Sequence, residues 1–341
     1  MRYHDLQLPN NLVAAPLAGI SNRAYRMLCR RYGAGLTYVE MLKVESFLHH
    51  NRKTMTLKYY RDDERPIGIQ FAGNNPAWLA EATRMAEDEG YDTVDLNMGC
   101  PVPKIGKCGA GSALMAYPDR AGKCLKAMVD AVKIPVTVKI RSGVNDGCLN
   151  FLEIGRIAQD VGIAAITIHP RTRAQSFTGL ANHDRTAELK AALSIPVIAS
   201  GDIKEPADAM RVLRHTSCDG VMIGRGCWGR PWLFREIAET QAYGRVVTPT
   251  PDALERLGVL REHFEMLLEA FEPRNACQVV RRYATWYVKD IEGSAAYRAR
   301  LTRVESREDF HELLDEITAH FEKIVGVPED ELIGRRPALV A

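Results

Sequence analysis

A cysteine set where a strand hands the chain into a sharp turn is placed to act on a bound substrate. Residues 94–114, VDLNMGCPVPKIGKCGAGSAL, hold such a cysteine. Val94-Asp95-Leu96-Asn97 alternates as a short strand does, and Gly99 and Pro101 then turn the chain around Cys100. The Gly-rich loop that follows allows close approach of backbone to a ligand, and Lys104 and Lys107 suit an anionic partner. A buried cysteine beside a turn fits the stretch equally well, since free cysteine is among the most buried residue types. The rest of the chain has to decide between them.

Similar punctuation recurs where other apolar runs end. Ala15-Pro16-Leu17-Ala18-Gly19 offers small residues against which a flat ring can lie, and Ser21 or Asn22 then caps a helix. Gln70 ends another run with an amide that both donates and accepts. Lys139 lies within Val136-Thr137-Val138-Lys139-Ile140, where an ammonium is costly unless something anionic compensates it. A further run closes on His169-Pro170-Arg171-Thr172-Arg173, and the last two close on Ser200-Gly201-Asp202 and Gly224-Arg225-Gly226. Each could be structural alone. A phosphate site, an inward lysine and a small-residue platform together describe a pocket for flavin mononucleotide (FMN).

Such residues need a scaffold that delivers many strand ends to one face. Candidate strands fall at 12–15, 36–40, 67–71, 93–97, 136–140, 164–169, 196–200 and 220–223. Segments 77–89, 120–132, 151–161, 187–193 and 207–213 carry apolar residues at helical spacing between them. This predicts an α/β fold, a (β/α)8 TIM barrel over residues 1–243, rather than an open doubly wound sheet, because no GxGxxG opens the first helix. Residues 244–251 read as a linker and 252–325 as a small all-α helical bundle, with 326–341 a C-terminal tail. One bundle face carries Leu254, Leu257, Leu260, Phe264, Leu267, Leu268 and Phe271, another Leu313, Ile317, Phe321 and Ile324. Between them runs PRNACQVVRRYATWYVK, residues 273–289, without an acid. Arg274, Arg281, Arg282 and Lys289 share a helix face there, a stripe suited to phosphate backbones, with Tyr283, Trp286 and Tyr287 interleaved. A solvated basic face with its aromatics turned into the bundle is the alternative.

Composition excludes several classes. The formal net charge is only +2, and from Arg245 onward 14 Lys/Arg face 18 Asp/Glu, so any basic surface must be a local stripe. No run nears the roughly 18–20 apolar residues of a membrane span, and no signal-peptide core follows Met1-Arg2-Tyr3-His4-Asp5. A cytoplasmic protein off the membrane is expected. The eight cysteines are scattered without a CxxC pair, which argues against a zinc knuckle or a disulfide framework, so no metal is expected.

The ordered motifs APLAGISNRAYR, DLNMGCPVPKIGKCGAGSALM, VTVKIRSG, HPRTRAQSFTG, IPVIASGDI and GVMIGRGCWGRPWLF resemble those of tRNA-dihydrouridine synthases, the bacterial B-type above all. The resemblance covers nearly the whole chain and implies a flavin-bearing barrel followed by a tRNA-binding helical domain. It implies that Pro16, Leu17 and Ala18 line the flavin, that Gln70, Lys139 and His169 contact it, and that Ser200, Gly201, Asp202, Gly224 and Arg225 hold its phosphate. Reduced flavin N5 would deliver a hydride to uracil C6, with electrons from NADPH, and Cys100 would protonate C5, as a thiol of ordinary pKa ~8.5 can at neutral pH. Asn97, Lys104, Arg171 and Arg173 would bind the D-loop uridine of the tRNA, His169 would help orient it, and Arg274, Arg281, Arg282 and Lys289 would grip the backbone. A monomer is the expectation. The chain departs from the family pattern at Asn22 (usually Asp), Pro170 (usually Gly) and Ser200 (usually Asn). Two other readings stay open: a flavin barrel acting on a free pyrimidine, as dihydroorotate dehydrogenases do, and a non-catalytic RNA-binding protein.

Overall fold

A computed structural model describes residues 1–325 apart from 290 and 292, with side chains to Lys323. The tail at 326–341 and the Ile324 side chain lie outside the described residues. Eight parallel strands form the barrel: β1 (Leu12–Ala14), β2 (Thr37–Tyr38), β3 (Ile67–Ala72), β4 (Thr93–Met98), β5 (Val136–Arg141), β6 (Ala165–His169), β7 (Val197–Ser200) and β8 (Gly220–Ile223). From β2 to β8 each pairs with its chain neighbour, and β8 pairs with β1. Between β1 and β2 the ring is completed by a parallel bridge from Val13 to Leu36 and by the bond from Ala14 N–H to the Leu36 carbonyl, 2.9 Å. Leu42–Lys43 adds a second short segment beside β3.

Helices α1 (Arg23–Arg31), α2 (Pro76–Asp88), α3 (Pro118–Val129), α4 (Phe151–Asp160), α5 (Asp184–Ala192), α6 (Pro206–Thr216) and α7 (Leu233–Tyr243) belong to the barrel unit. The α2, α3 and α6 helices start one or two residues before the apolar spacing predicts. In each a proline takes the first position, where its missing N–H costs nothing. Asn22 caps α1, accepting from Tyr25 N–H at 3.0 Å, so asparagine performs the capping expected of it.

The strands are buried on both sides, so their alternation separates two buried faces, one against the helices and one toward the barrel interior. Val94, Leu96, Val138, Ile140, Ile69 and Phe71 pack in one large apolar cluster with the helix residues Leu79, Leu125 and Ile154. Their alternates Gln70, Asp95, Asn97, Thr137 and Lys139 point to the other face, where Asp95 accepts from Gln70 and Thr137 and Gln70 accepts from Asn97. Strand register sets Gln70 beside Asp95, Asp95 beside Thr137, and Asn97 beside Lys139. The opposite end of the barrel is plugged by a hairpin the sequence reading does not anticipate, Arg2–Tyr3 with Leu6–Gln7. Its Tyr3 and the following Leu8 join Val13, Leu36, Tyr38 and Ile198 in a second apolar cluster.

Contacts divide the chain into one unit of residues 1–227 and 231–248 and another of 228–230 and 249 onward. Trp228–Arg230, expected with the barrel, therefore groups with the helices. There the Trp228 ring stacks on Trp286, 4.5 Å between centroids, and Gly229, at φ +64°, lies where any Cβ would strike the Trp286 backbone. The second unit holds α8 (Ala253–Ala270), α9 (Pro273–Tyr287), α10 (Ser294–Leu301) and α11 (Arg307–Val325). A reciprocal cap opens α8: Asp252 accepts from Glu255 N–H and Glu255 from Asp252 N–H, both at 2.9 Å. Leu257, Leu260, Phe264, Leu267, Leu314, Ile317 and Phe321 are buried in its core, whereas Leu254, Leu268 and Phe271 of the predicted face are only half-buried.

One buried ion pair ties α1 to the turn before β3. Arg26 donates to Glu64 at 2.7 Å, to the Ser21 carbonyl at 2.8 Å and to the Tyr59 carbonyl at 2.9 Å. Both side chains are at most 1 % exposed. Truncating one partner strands the other charge, so Arg26→Ala should lower the unfolding free energy by about 3–5 kcal/mol in chemical denaturation.

Candidate active site

The turn after β4 is held through the backbone N–H and C=O groups of both Gly99 and Cys100. Asn97 Oδ1 accepts from Gly99 N–H at 3.1 Å and from Cys100 N–H at 2.8 Å. The Gly99 carbonyl accepts from Arg141 Nε at 2.6 Å, and the Cys100 carbonyl from both the N–H and the hydroxyl of Ser112, at 3.0 and 2.8 Å. The half-buried Cys100 is thereby fixed at the wall of a cavity of about 250 Å³.

Strand ends from around the barrel line that cavity. Pro16, Leu17 and Ala18 come from the turn after β1, Asn97 and Cys100 from β4 and its loop, and Lys139 from β5. His169 ends β6, while Ser200, Gly201, Asp202, Gly224 and Arg225 follow β7 and β8. Gly201 sits at φ +115°, and a Cβ there would lie 2.9 Å from the His169 ring, so this turn requires glycine. Phe177 also lines the cavity, with the Arg225 and Arg141 guanidinium carbons 4.9 and 5.4 Å from its ring centroid.

The cavity is electropositive. Lys139 makes no hydrogen bond or ion pair with any described residue. Burial, reinforced by Arg141 and opposed by Asp95, pushes its ammonium down to about 8. Burial likewise lowers Arg141, which stays charged at neutral pH. His169 is held neutral, first by burial and then by the charges of Lys139, Arg141, Arg171 and Arg225. Its Nε2 lies 3.0 Å from Arg171 Nη1, and a guanidinium only donates, so Nε2 accepts and the proton resides on Nδ1. An anion with a flat, partly apolar body meets the chemistry of this donor set.

Several expected residues lie elsewhere. Gln70 is fully buried and does not line the cavity: its amide bridges Asp95 and Asn97, at 2.8 Å each. Arg171 is also buried and clamps loops together, bonding Asp202 at 2.8 and 2.9 Å and the Thr178 and Gly179 carbonyls. The Asp202 carboxylate is engaged by Arg171 and by Ala181 N–H at 2.7 Å, which leaves only its backbone for an anion. Lys104 and Arg173 are outside the cavity lining. Asn97 lines it, yet both lone-pair positions of its oxygen and one amide hydrogen are taken by the protein.

On α9, Arg274 and Arg282 are exposed, as is Lys289 two residues past its end, but Arg281 is half-buried and donates to the Val304 carbonyl at 2.9 Å. Tyr283 and Tyr287 are buried and Trp286 stacks on Trp228, so the interleaved aromatics serve the bundle. Sequence reasoning passes over Arg141, Phe177 and Asp95. For Arg141 a signal existed, because it stands two residues after Lys139 on one strand and so shares its side.

An amine that titrates near 8 is nucleophilic where surface lysines are not. Labelling of Lys139 by a small acylating reagent, followed by peptide mass spectrometry, should rise with a midpoint near pH 8, well below the ~10.4 of an ordinary lysine.

Among the described residues no helix is long and apolar enough to cross a membrane, and no cluster of three His, Cys, Asp or Glu could hold a metal. The barrel is similar to a solved 2-naphthoyl-CoA reductase complexed with 2-naphthoyl-CoA, with TM-score 0.56 and 12 % identity over 72 % of this chain and 52 % of that one. At that identity the likeness speaks for the fold alone. Sequence comparison reaches further. The chain is 43 % identical over 297 residues to tRNA-dihydrouridine synthase B of Xanthomonas campestris, covering 87 % of this chain and 89 % of the relative. Identity is 39 % over 324 residues to the Pectobacterium carotovorum protein of that name, covering 95 % and 100 %. It is also 39 % over 322 residues to that of Escherichia coli K12, covering 94 % and 99 %. The family model described as dihydrouridine synthase matches residues 12–323, and the chain belongs to that family.

Proposed function

We propose that this protein reduces the C5–C6 double bond of a D-loop uridine in tRNA to 5,6-dihydrouridine, using FMN in the barrel cavity and NADPH as electron donor. One observation carries the reading: a single cavity is lined both by Cys100 and by the cations Lys139 and Arg225. The names of the relatives, tRNA-dihydrouridine synthase B, supply the substrate. When bound, FMN supplies a hydride for C6 of the uracil. Lys139, without a protein partner, would hold the electron-rich edge of the ring, and Arg225 with the backbone of Ser200–Asp202 and Gly224 would take the phosphate.

The protein's own part of the reaction is a proton. Addition of hydride at C6 leaves negative charge shared between C5 and the C4 oxygen, and the Cys100 thiol hands its proton to C5. The thiolate that remains lies close enough to Arg141 for their charges to attract. Asn97 and Ser112 keep the turn from moving as this charge develops, because both bond the Cys100 backbone. His169, with its proton on Nδ1, can only donate from that nitrogen. A free pyrimidine substrate would give the exposed basic residues Arg274 and Lys289 no polyanion to meet.

Two tests separate the parts. Cys100→Ala should retain FMN and its reduction by NADPH but lose about two to four orders of magnitude in dihydrouridine formation. Turnover near the wild-type rate would remove Cys100 from the mechanism and make Cys108 the residue to examine. Replacing the exposed Arg274 and Lys289 by Ala should weaken tRNA binding and flatten its salt dependence by roughly 0.7–0.9 in log–log slope per lost phosphate contact. Flavin content and thermal stability should be unchanged. NADPH oxidation that tRNA does not stimulate would favour the free-pyrimidine reading, and an unaltered slope would make the stripe a solvated face.

A further inference from the structure

Asp95 neither lines the cavity nor touches Cys100, yet a chain of side-chain hydrogen bonds through Gln70 and Asn97 joins it to the Gly99 and Cys100 N–H groups. The N–H groups of Gly99 and Cys100 only donate, so Asn97 must turn its oxygen toward them. That leaves the Asn97 Nδ2 facing Gln70, whose Oε1 accepts at 2.8 Å. Gln70 then has only Nε2 to offer Asp95, and donates to Oδ2 at 2.8 Å. The other carboxylate oxygen accepts from Thr137 Oγ1 at 2.7 Å. Gln70 is fully buried, Asp95 2 % exposed and Asn97 8 %, so water offers little alternative to this order.

We propose that Asp95 is a positioning residue for Cys100: as an acceptor-only carboxylate it permits one polarity of the Gln70–Asn97 amide relay, the polarity that holds the Gly99–Cys100 turn. The inference rests on reading this cavity as the site of uridine reduction. A neutral group at 95 both donates and accepts. Either polarity of the relay then becomes available, and in the reversed one Asn97 points its NH2 at two backbone N–H groups, which releases the turn.

The groups facing Asp95 are Gln70 from β3, Thr137 and Lys139 from β5, and the tyrosines of the plug and β2, Tyr3 and Tyr38, both raised first by burial and further by its charge. Burial raises the carboxyl to about 6, against the Thr137 and Gln70 hydrogen bonds and the charge of Lys139. A raised folded pKa means that the charged form is the costly one. Its contribution to stability is full below the unfolded value of 3.8 and is lost as pH rises through about 6. Stability and relay order thus depend on pH in opposite directions, which separates a positioning role from a merely structural one.

The test uses the full-length flavoprotein with tRNA at pH 5–8, as wild type, Asp95→Asn, and Asp95→Asn combined with Gln70→Glu. In wild type, kcat for dihydrouridine formation should fall below pH ~6, and amide-exchange protection of the peptide containing Gly99 and Cys100 should fall with it after correction for intrinsic rates. Asp95→Asn should keep its flavin, its KM for tRNA and a Tm at pH 8 no lower than wild type. Its kcat should drop about tenfold and the acid limb near pH 6 should vanish, since small misplacements of a catalytic group are that costly. Gln70→Glu restores an acceptor-only carboxylate one step along the relay, so the double variant should recover both kcat and protection. Wild-type kcat in Asp95→Asn, or a double variant no better than the single one, overturns the proposal. If wild type forms no dihydrouridine, it is the functional reading that fails, and exchange still decides the relay. Should Asp95→Asn not fold, wild-type exchange alone decides: protection unchanged through pH 6 overturns the proposal.

Discussion

The site depends on two backbone N–H groups that share one oxygen. Gly99 and Cys100 leave the end of β4 with donors that no ladder partner takes, and Asn97 Oδ1 accepts both. A polar side chain can do this only where its own remaining groups are satisfied, because each unpaired buried group costs roughly 1–3 kcal/mol. The barrel therefore carries polar side chains in register, Gln70 beside Asp95 beside Thr137, so that each bond is completed by the next. A core filled only with aliphatic residues would be simpler to pack but could not present a thiol in one orientation.

Charge imposes the second constraint. Lys139, Arg141, Arg171 and Arg225 lie within electrostatic reach of His169, while carboxylates nearby are few: Asp202 is engaged by Arg171, and Asp95 has burial working against its charge. The fold resolves part of this repulsion by keeping His169 neutral and Arg171 paired. It leaves Lys139 and Arg225 without a hydrogen-bonded carboxylate, their charges offset only at longer range by Asp95 and Asp202, and an anion inside the cavity would offset them more strongly than solvent could. Affinity for the ligand and strain in its absence have the same origin.

In the helical unit, side chains of like type part company. Tyr283 and Tyr287 are buried in the core, Arg281 reaches back to the Val304 carbonyl, and Arg274, Arg282 and Lys289 remain exposed. The surface offered to a polyanion is therefore smaller than the run of basic residues suggests, and its aromatic members hold the helices instead. Burial of one such ring stabilises the bundle by roughly 1.5–3 kcal/mol.

Much of this protein is local enough to be legible in the sequence. The eight strands appear as short apolar runs within a residue or two of their observed ends, and helix starts differ by one or two residues where proline opens the first turn and by three at α5, whose first turn, Asp184-Arg185-Thr186, carries no apolar residue. The ordered motifs identify the family, since strand ends and their turns depend on residues adjacent in the chain. Which groups face the cavity was only partly legible. Gln70, Arg171 and the Asp202 carboxylate have the right chemistry for a ligand, but strand register and loop return bring them protein partners first. Arg141 and Phe177 gain their places by the converse. A strand's pattern determines which way a side chain points, whereas its hydrogen-bond partner comes from another strand tens of residues away. That second choice belongs to the tertiary structure alone.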